Sequence, residues 1–387
     1  MSKANSKFFL VLLLGVLSAF GPFVVDLYLP SLPHLAMFFE TPTAMTQLTL
    51  TTAMFGLALG QLFFGPISDK FGRKKPLMIS LIIYIASTIG IIFSPNIETM
   101  IVLRTIQGLS SAGSVVISRA VVTDLYRGHE MTRFFGLLMT INGLAPIISP
   151  VLGSLLLEHL NWQGIFIFLA LIGVVVTLFS LRLKESLKAE DRLQGSILSS
   201  FGVFGKILKN SLFMRYVGIE SFLFGAMFAY IAASPFILQN FYGLSAFAFG
   251  LCFAANGAAL VIGANVGSKM TNKNALILGV FGFGLTAFYT ILMLLVQPHW
   301  FWVEIGFFLM LLTIGLTLPA ISSLAMESER QYAGSASAIL GFAPFFLGGI
   351  ISPLVGIGDI FYATAIMIAI CILLGISTYL SVSQHVR

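Results

Sequence analysis

Apolar runs of about twenty residues, the length that crosses a bilayer core, follow one another along this chain with little between them. They fall at about 8–30, 45–67, 76–94, 98–123, 134–157 and 164–182, and then at about 213–240, 246–268, 275–296, 300–324, 332–355 and 360–381. Charged residues make up only 9% of the sequence, against about a quarter in soluble domains, so most of this surface is built to face lipid. The spacing predicts an all-α membrane protein with twelve transmembrane helices. Residues 1–21 imitate a secretory leader, with Lys3, Lys7, an apolar core and small residues. The apolar run continues well beyond any cleavage point, so the segment is read as the first span.

The longest charged stretch, RLKESLKAEDRLQGS (Arg182–Ser196), divides the chain into two sets of six helices. The expected organisation is a first bundle over residues 1–182, a central loop over 183–212 and a second bundle over 213–387. Lys3, Lys7, Lys70, Arg73, Lys74, Lys75, Arg127, Arg133, the central segment, Lys269, Lys273, Arg330 and Arg387 all fall on one side of the predicted topology. The opposite loops carry His34, Glu40, Glu98, Glu158, His159, His299 and Asp359, but neither Lys nor Arg. The positive-inside rule then places both termini and the central loop in the cytoplasm. The net charge of +6 is thus a topology signal, and no nucleic-acid partner is needed to explain it. Cys252 and Cys371 both lie within apolar runs and imply no disulfide framework.

The halves echo each other. ISPVLG (Ile148–Gly153) returns as ISPLVG (Ile351–Gly356), and PISDKFGRK (Pro66–Lys74) has a fainter counterpart in NVGSKMTNK (Asn265–Lys273). Both pairs are separated by about half the chain, the pattern of a duplicated six-helix unit.

Against this apolar background Asp26 stands out, in FVVDLYLPSLP (Phe23–Pro33). A carboxylate in mid-helix costs about 2.5–3.5 kcal/mol on insertion scales, which makes it a functional candidate. Low dielectric penalises the charged form of a carboxyl, so such a group can trade a proton for a cationic or polar substrate. Pro22, Pro30 and Pro33 flank it and can open a polar niche in the backbone. The plainer reading is that Asp26 ends the helix at the outer face beside Pro30.

Three further segments carry chemistry. GPISDKFGRKKPL (Gly65–Leu77) gathers Asp69, Arg73 and lysines at a helix mouth, or serves only as a positive loop that fixes orientation. LRTIQGLSSAGS (Leu103–Ser114) places Arg104 and Gln107 on one helical face inside the membrane, with small residues that admit a close neighbour. Arg104 could instead snorkel toward the outer headgroups. GLAPIISPVLGSLL (Gly143–Leu156) bends the fifth span with glycines and two prolines.

Together with DLYLP, these segments resemble the signature of the major facilitator superfamily in its drug:proton antiporter branch. The nearest likeness is to the bicyclomycin/chloramphenicol resistance (Bcr/CflA) subfamily, which shares Asp-x-Tyr-Leu-Pro, the following Gln47–Leu50 and Ser234–Phe236. The resemblance covers essentially the whole chain. In the fifth span, Ser149 and Ser154 replace glycines of the antiporter motif. The resemblance implies two pseudo-symmetric six-helix bundles, the major facilitator fold.

It also implies roles. Asp26 exchanges the proton and Arg104 tunes that exchange. Asp69 and Arg73, with Arg119 and Asp124, form a cytoplasmic gate. Gly143, Pro146, Pro150 and Gly153 shape the helix that favours export. Asp26, Gln107, Asn142 and Asn256 are the polar candidates for the substrate cavity, since polar side chains within spans face the bundle interior. The position matching Asp26 in the second half is near Gly225, so proton chemistry is expected mainly in the first half. Glu220 is read as solvated at the cytoplasmic end of its span or as a second coupling acid. The phenylalanines of span seven are read as packing or lipid-facing rather than as a drug cage.

No His/Cys spacing suited to a metal and no Gly-x-x-x-x-Gly-Lys-Ser/Thr loop occurs, which argues against a membrane enzyme and against ATP-driven transport. The expected function is proton-coupled efflux of amphipathic antibiotics, bicyclomycin- or chloramphenicol-like, by alternating access in a bacterial inner membrane. The chain is expected to act as a monomer, with no cofactor and the proton gradient as energy source. The alternative is a proton-coupled transporter of one small metabolite, such as a nucleoside or sugar.

Overall fold

The computed structural model describes residues 5–126, 128–192, 204–329 and 333–383. Regular structure among these residues is helical throughout. The helices are α1 (Lys7–Ser18), α2 (Phe20–Asp26), α3 (Leu32–Phe38), α4 (Thr43–Phe71), α5 (Lys74–Ile92), α6 (Ile97–Leu125), α7 (Gly128–Leu181), α8 (Ser211–Pro235), α9 (Ala246–Ser268), α10 (Asn272–Val296), α11 (Trp300–Ser328), α12 (Ala333–Leu354) and α13 (Ile360–Ser383). Among the described residues, ten helical stretches are long and apolar enough to cross a membrane, and Ala338–Leu354 is a shorter apolar one. The long α7 is two helices that meet at Asn161, where φ is 58°. With that break counted, the twelve expected spans are present.

Helix ends follow local chemistry. Asn96 caps α6 by accepting from the Thr99 amide at 2.9 Å, and Thr271 and Ser245 cap α10 and α9 in the same way. The first span is the irregular one. α1 and α2 meet at Ala19, and a 3-10 turn at Leu29–Ser31 follows Asp26. Pro30 and Pro33 have no amide hydrogen to continue an α-helical ladder there.

Two compact units divide the chain by contact, Met1–Tyr28 with Thr52–Ser200, and Leu29–Thr51 with Phe201–Arg387. The excursion of Leu29–Thr51 into the second unit has no sign in the charge pattern that suggests a cut near 182 and 213. Hydrogen bonds explain it: Gln239 Nε2 donates to the Pro30 carbonyl at 3.2 Å, and the buried Gln47 donates through Nε2 to the Ala232 carbonyl at 3.0 Å.

Each unit holds the same close-packed helix pair. In the first, a Cβ on Gly56 would strike the Thr105 carbonyl and the Leu109 amide, one on Gly60 the Leu109 carbonyl, and one on Gly108 the Ala53 carbonyl. In the second, Gly263 faces the Leu312 carbonyl and the Leu316 amide, Gly267 the Leu316 carbonyl, and Gly315 the Leu260 carbonyl. Every glycine and every partner is displaced by the same 207 residues. Without a hydrophobic force between helices in lipid, such backbone-to-backbone approach is what packs them. The packing contacts therefore show a duplicated unit, but in a 207-residue register that pairs Gly60 with Gly267 and so overturns the pairing of Pro66–Lys74 with Asn265–Lys273, which are 199 residues apart.

Candidate functional site

The first site centres on the broken first span. Asp26 is the last residue of α2 and only 6% exposed, and among the described residues it makes no hydrogen bond or ion pair. It is therefore not a solvated helix end. The next residue, Leu27, presents its carbonyl to Gly153 of α7 so closely that a Cβ there would overlap it. The glycine of the antiporter-like segment thus lets α7 lie directly against the Asp26 backbone. Pro150 is buried and Pro146 half-buried on the same helix, and Ser149 and Ser154 are buried as well. The Ser154 hydroxyl donates to the Val151 carbonyl at 2.8 Å. The Asn142 side chain and the surroundings of Gly143 lie outside what is described.

Arg104 does not snorkel. It is fully buried and turned into the first unit, where Nη2 donates to the Val24 carbonyl at 2.9 Å and Nη1 to Gln107 Oε1 at 2.5 Å. Its guanidinium lies 4.1 Å from the Tyr28 ring centroid and 5.7 Å from that of Phe166. Val24 belongs to the last turn of α2, whose carbonyls run out of intrahelical donors, and a cation at a helix C-terminus also meets the dipole favourably. Gln107 passes the chain on, donating from Nε2 to Thr88 Oγ1 at 2.8 Å, and Thr88 donates to the Tyr84 carbonyl at 2.6 Å. Arg104 thus anchors the helix that carries Asp26 while leaving the carboxyl unpaired.

The second site lies at the α4–α5 connection. Arg73 is its hub. Its Nε and Nη2 donate to the two oxygens of Asp124 at 2.9 and 3.1 Å, and Nη1 donates to Ser68 Oγ at 2.8 Å and to Asp69 Oδ1 at 2.5 Å. The Arg73 and Asp124 side chains are 7% and 11% exposed, whereas Asp69 is 52% exposed. Burial alone would pull the Arg73 guanidinium below its ordinary range. The carboxylates of Asp124 and Asp69 outweigh that and raise it instead.

Glu185 and Ser186, from the segment after α7, complete the cluster. Glu185 accepts from the Arg73 and Lys74 amides at 2.7 and 3.2 Å, so its carboxylate caps the N-terminus of α5. Ser186 donates to Asp124 Oδ2 at 2.7 Å, and Lys74 Nζ donates to the Leu181 carbonyl at 2.7 Å. Gly72, with φ of 87°, leaves the room that the Glu185 carboxylate occupies. Asp69, Arg73 and Asp124 therefore meet, but Arg119 does not join them. It is exposed and makes no hydrogen bond or ion pair among the described residues. Glu185 and Ser186 gave no sequence signal, because they sit among other charges in the polar central stretch.

In the second unit, Asn256 is buried and donates from Nδ2 to the Tyr230 hydroxyl at 2.9 Å. Tyr230 packs against Phe253 and Phe307 at centroid distances of 5.6 and 4.8 Å, and Phe228 against Phe345 at 5.5 Å. Phe228 and Tyr230 of span seven are thus buried against rings of neighbouring helices. Glu220 departs from its expected solvated position: it is 7% exposed, because its face of α8 turns toward α11, where Ser322 Oγ donates to Oε1 at 3.4 Å. A further acid, Glu304, is also buried, within WFWVEIGFF of α11. Its sequence signal is the one that marks Asp26, a lone carboxyl inside an apolar run. No group of His, Cys, Asp and Glu suited to a metal ion occurs among the described residues.

The model of the Major Facilitator Superfamily matches residues 11–353 of this sequence. An uncharacterized MFS-type transporter of Bacillus subtilis (strain 168), YdgK, is 39% identical over 357 residues, covering 90% of this chain and 89% of that protein. A bicyclomycin resistance protein homolog of Haemophilus influenzae is 29% identical, with 92% and 90% covered. Among solved structures, a bacterial homolog of the human lysosomal transporter Spinster superposes with a TM-score of 0.77 at 13% identity, over 98% of each chain. That match speaks for the fold alone. The chain therefore belongs to the Major Facilitator Superfamily and is a multi-pass bacterial membrane transporter, not an enzyme.

Proposed function

We propose that this transporter exports amphipathic antibiotics, bicyclomycin- or chloramphenicol-like, in exchange for protons. The observation that carries the reading is Asp26, a buried and unpaired carboxyl at the end of α2. An isolated carboxylate in such surroundings bears its full desolvation cost, whereas the protonated acid does not. Asp26 therefore holds a proton until a cationic or polar substrate compensates its charge. Arg104 holds the backbone two residues away without pairing the carboxyl, so the positioning charge does not remove the switch.

In the proposed cycle, both termini and the Arg73 cluster face the cytoplasm of a bacterial inner membrane, and the protein works as a monomer by alternating access. The Asp69–Arg73–Asp124 network is the cytoplasmic gate, and Glu185 ties it to the segment that leaves α7. Gln107 and Asn256, the polar candidates for contacting substrate, are buried and hydrogen-bonded within their own units in this structure, so they reach substrate only if the cycle opens their surroundings. The resistance activity named for the Haemophilus relative supports export of a drug. A susceptibility panel in cells stripped of their own exporters tests the function. Raised resistance to several unrelated amphipathic antibiotics is expected. Unchanged susceptibility to all of them, with uptake of one metabolite, would overturn the proposal.

A further inference from the structure

Glu304 sits on the second turn of α11 and is 9% exposed, and neither carboxyl oxygen has a hydrogen-bond partner among the described residues. Beside it on α9 is the Asn256 amide, whose Oδ1 is likewise buried without a partner while Nδ2 serves the Tyr230 hydroxyl. Phe307, one turn along α11 from Glu304, and Phe253 pack on the Tyr230 ring, so the polar groups sit behind aromatic walls. The titratable neighbours are Tyr230 on α8 and Cys252 on α9, and no cation is paired with the carboxyl.

We infer that Glu304, with Asn256 and Tyr230, forms a proton-binding site of the second unit, separate from Asp26. The chemistry of the amide is the reason. A side-chain amide offers two N–H donors and an oxygen with two lone pairs. With one N–H on Tyr230, Asn256 still has an oxygen to accept from a protonated Glu304 and a second N–H to donate to an ionised one. A carboxyl kept permanently protonated for packing would need only the acceptor. A carboxyl that gains and loses its proton needs both, and turning this one amide supplies them. The Tyr230 hydroxyl accommodates either orientation, since it both donates and accepts. By turning toward the carboxyl, the amide can thus supply a hydrogen bond on either side of a proton transfer, at a position the first unit does not duplicate: subtracting the 207-residue repeat from Glu304 leads to Ile97.

The inference does not depend on the proposed drug or on Asp26. Infrared difference titration of the purified full chain in lipid nanodiscs tests it, reading the C=O stretch of protonated carboxyls. At neutral pH the wild type is expected to show such a band. Glu304→Gln removes one carboxyl's share of it, and Asp26→Asn leaves that share in place. Raising the pH bleaches the Glu304 share reversibly while the protein remains monodisperse. Glu304→Asp provides a second readout, a shifted band that still bleaches, should Glu304→Gln fold poorly. An unchanged band in both Glu304 variants would overturn the inference. So would a Glu304 share that never bleaches in folded protein, which would make the proton structural.

Discussion

Gly153 gives the sharpest steric test of how the Asp26 segment is held. A Cβ placed on Gly153 would lie 2.9 Å from the Leu27 carbonyl carbon and 3.5 Å from its Cα, and would overlap the carbonyl oxygen itself. Carbon atoms settle at about 3.5–4.0 Å, so α7 and the end of α2 must part by roughly 1 Å in Gly153→Ala. The obstacle is backbone and cannot rotate away, and overpacking of this kind costs about 1–3 kcal/mol. Alanine regains about 1 kcal/mol of helix propensity, leaving a net loss of about 0–2 kcal/mol, or about 1–3 kcal/mol relative to an unobstructed Gly→Ala change. The control is Gly375→Ala in α13, where the nearest atom, Phe222 Cβ, is 3.7 Å away, an ordinary contact. Thermal unfolding of the two purified variants should show a midpoint lowered by a few degrees for Gly153→Ala alone. Proton-driven efflux of ethidium from vesicles should fall in the same variant, because the displaced residue adjoins Asp26. If the two variants unfold and transport alike, the close approach is not what positions the carboxyl.

The other expectations concern charge. Replacing Arg73 by Met leaves the largely buried Asp124 with only the Ser186 hydroxyl and should cost about 3–5 kcal/mol, whereas Asp69→Asn breaks a half-exposed pair and should cost at most about 1 kcal/mol; unfolding midpoints give the order. Arg73 is raised in the fold, so its share of stability is complete below its ordinary strongly alkaline range and is lost only above it. Stability measured from neutral to mildly alkaline pH should accordingly show no transition that Arg73→Met abolishes. Arg104→Lys keeps the charge but cannot hold Val24, Gln107 and the Tyr28 face together, and should lower stability by about 1.5–3 kcal/mol in the same assay.

Where the sequence was legible, a single strong force left its mark. Apolar length marks the spans, Pro30 and Pro33 mark the break after Asp26, and the Asp69 and Arg73 motif marks the α4–α5 cluster. What escaped depends on partners brought from elsewhere in the chain. Glu185 becomes a cap only because the segment after α7 returns to the start of α5, some 110 residues upstream. Arg104 has the composition of a snorkelling residue, and only the free carbonyls at the end of α2 turn it inward. Glu220 lies near a helix end by count, where solvation is the natural expectation, while Glu304 shows only a lone carboxyl in an apolar run. The faces they occupy, toward Ser322 and Asn256, are fixed by helix rotation that a nearly uniform apolar pattern does not encode.

The central claim is that Asp26 carries the exchanged proton. Purified Asp26→Asn and wild-type protein, reconstituted in proteoliposomes with a trapped pH dye, can be challenged with a gradient of ethidium or chloramphenicol. The wild type should move protons in step with the drug, and Asp26→Asn should move none while unfolding at an unchanged temperature. Undiminished drug-dependent proton movement in Asp26→Asn would contradict the account.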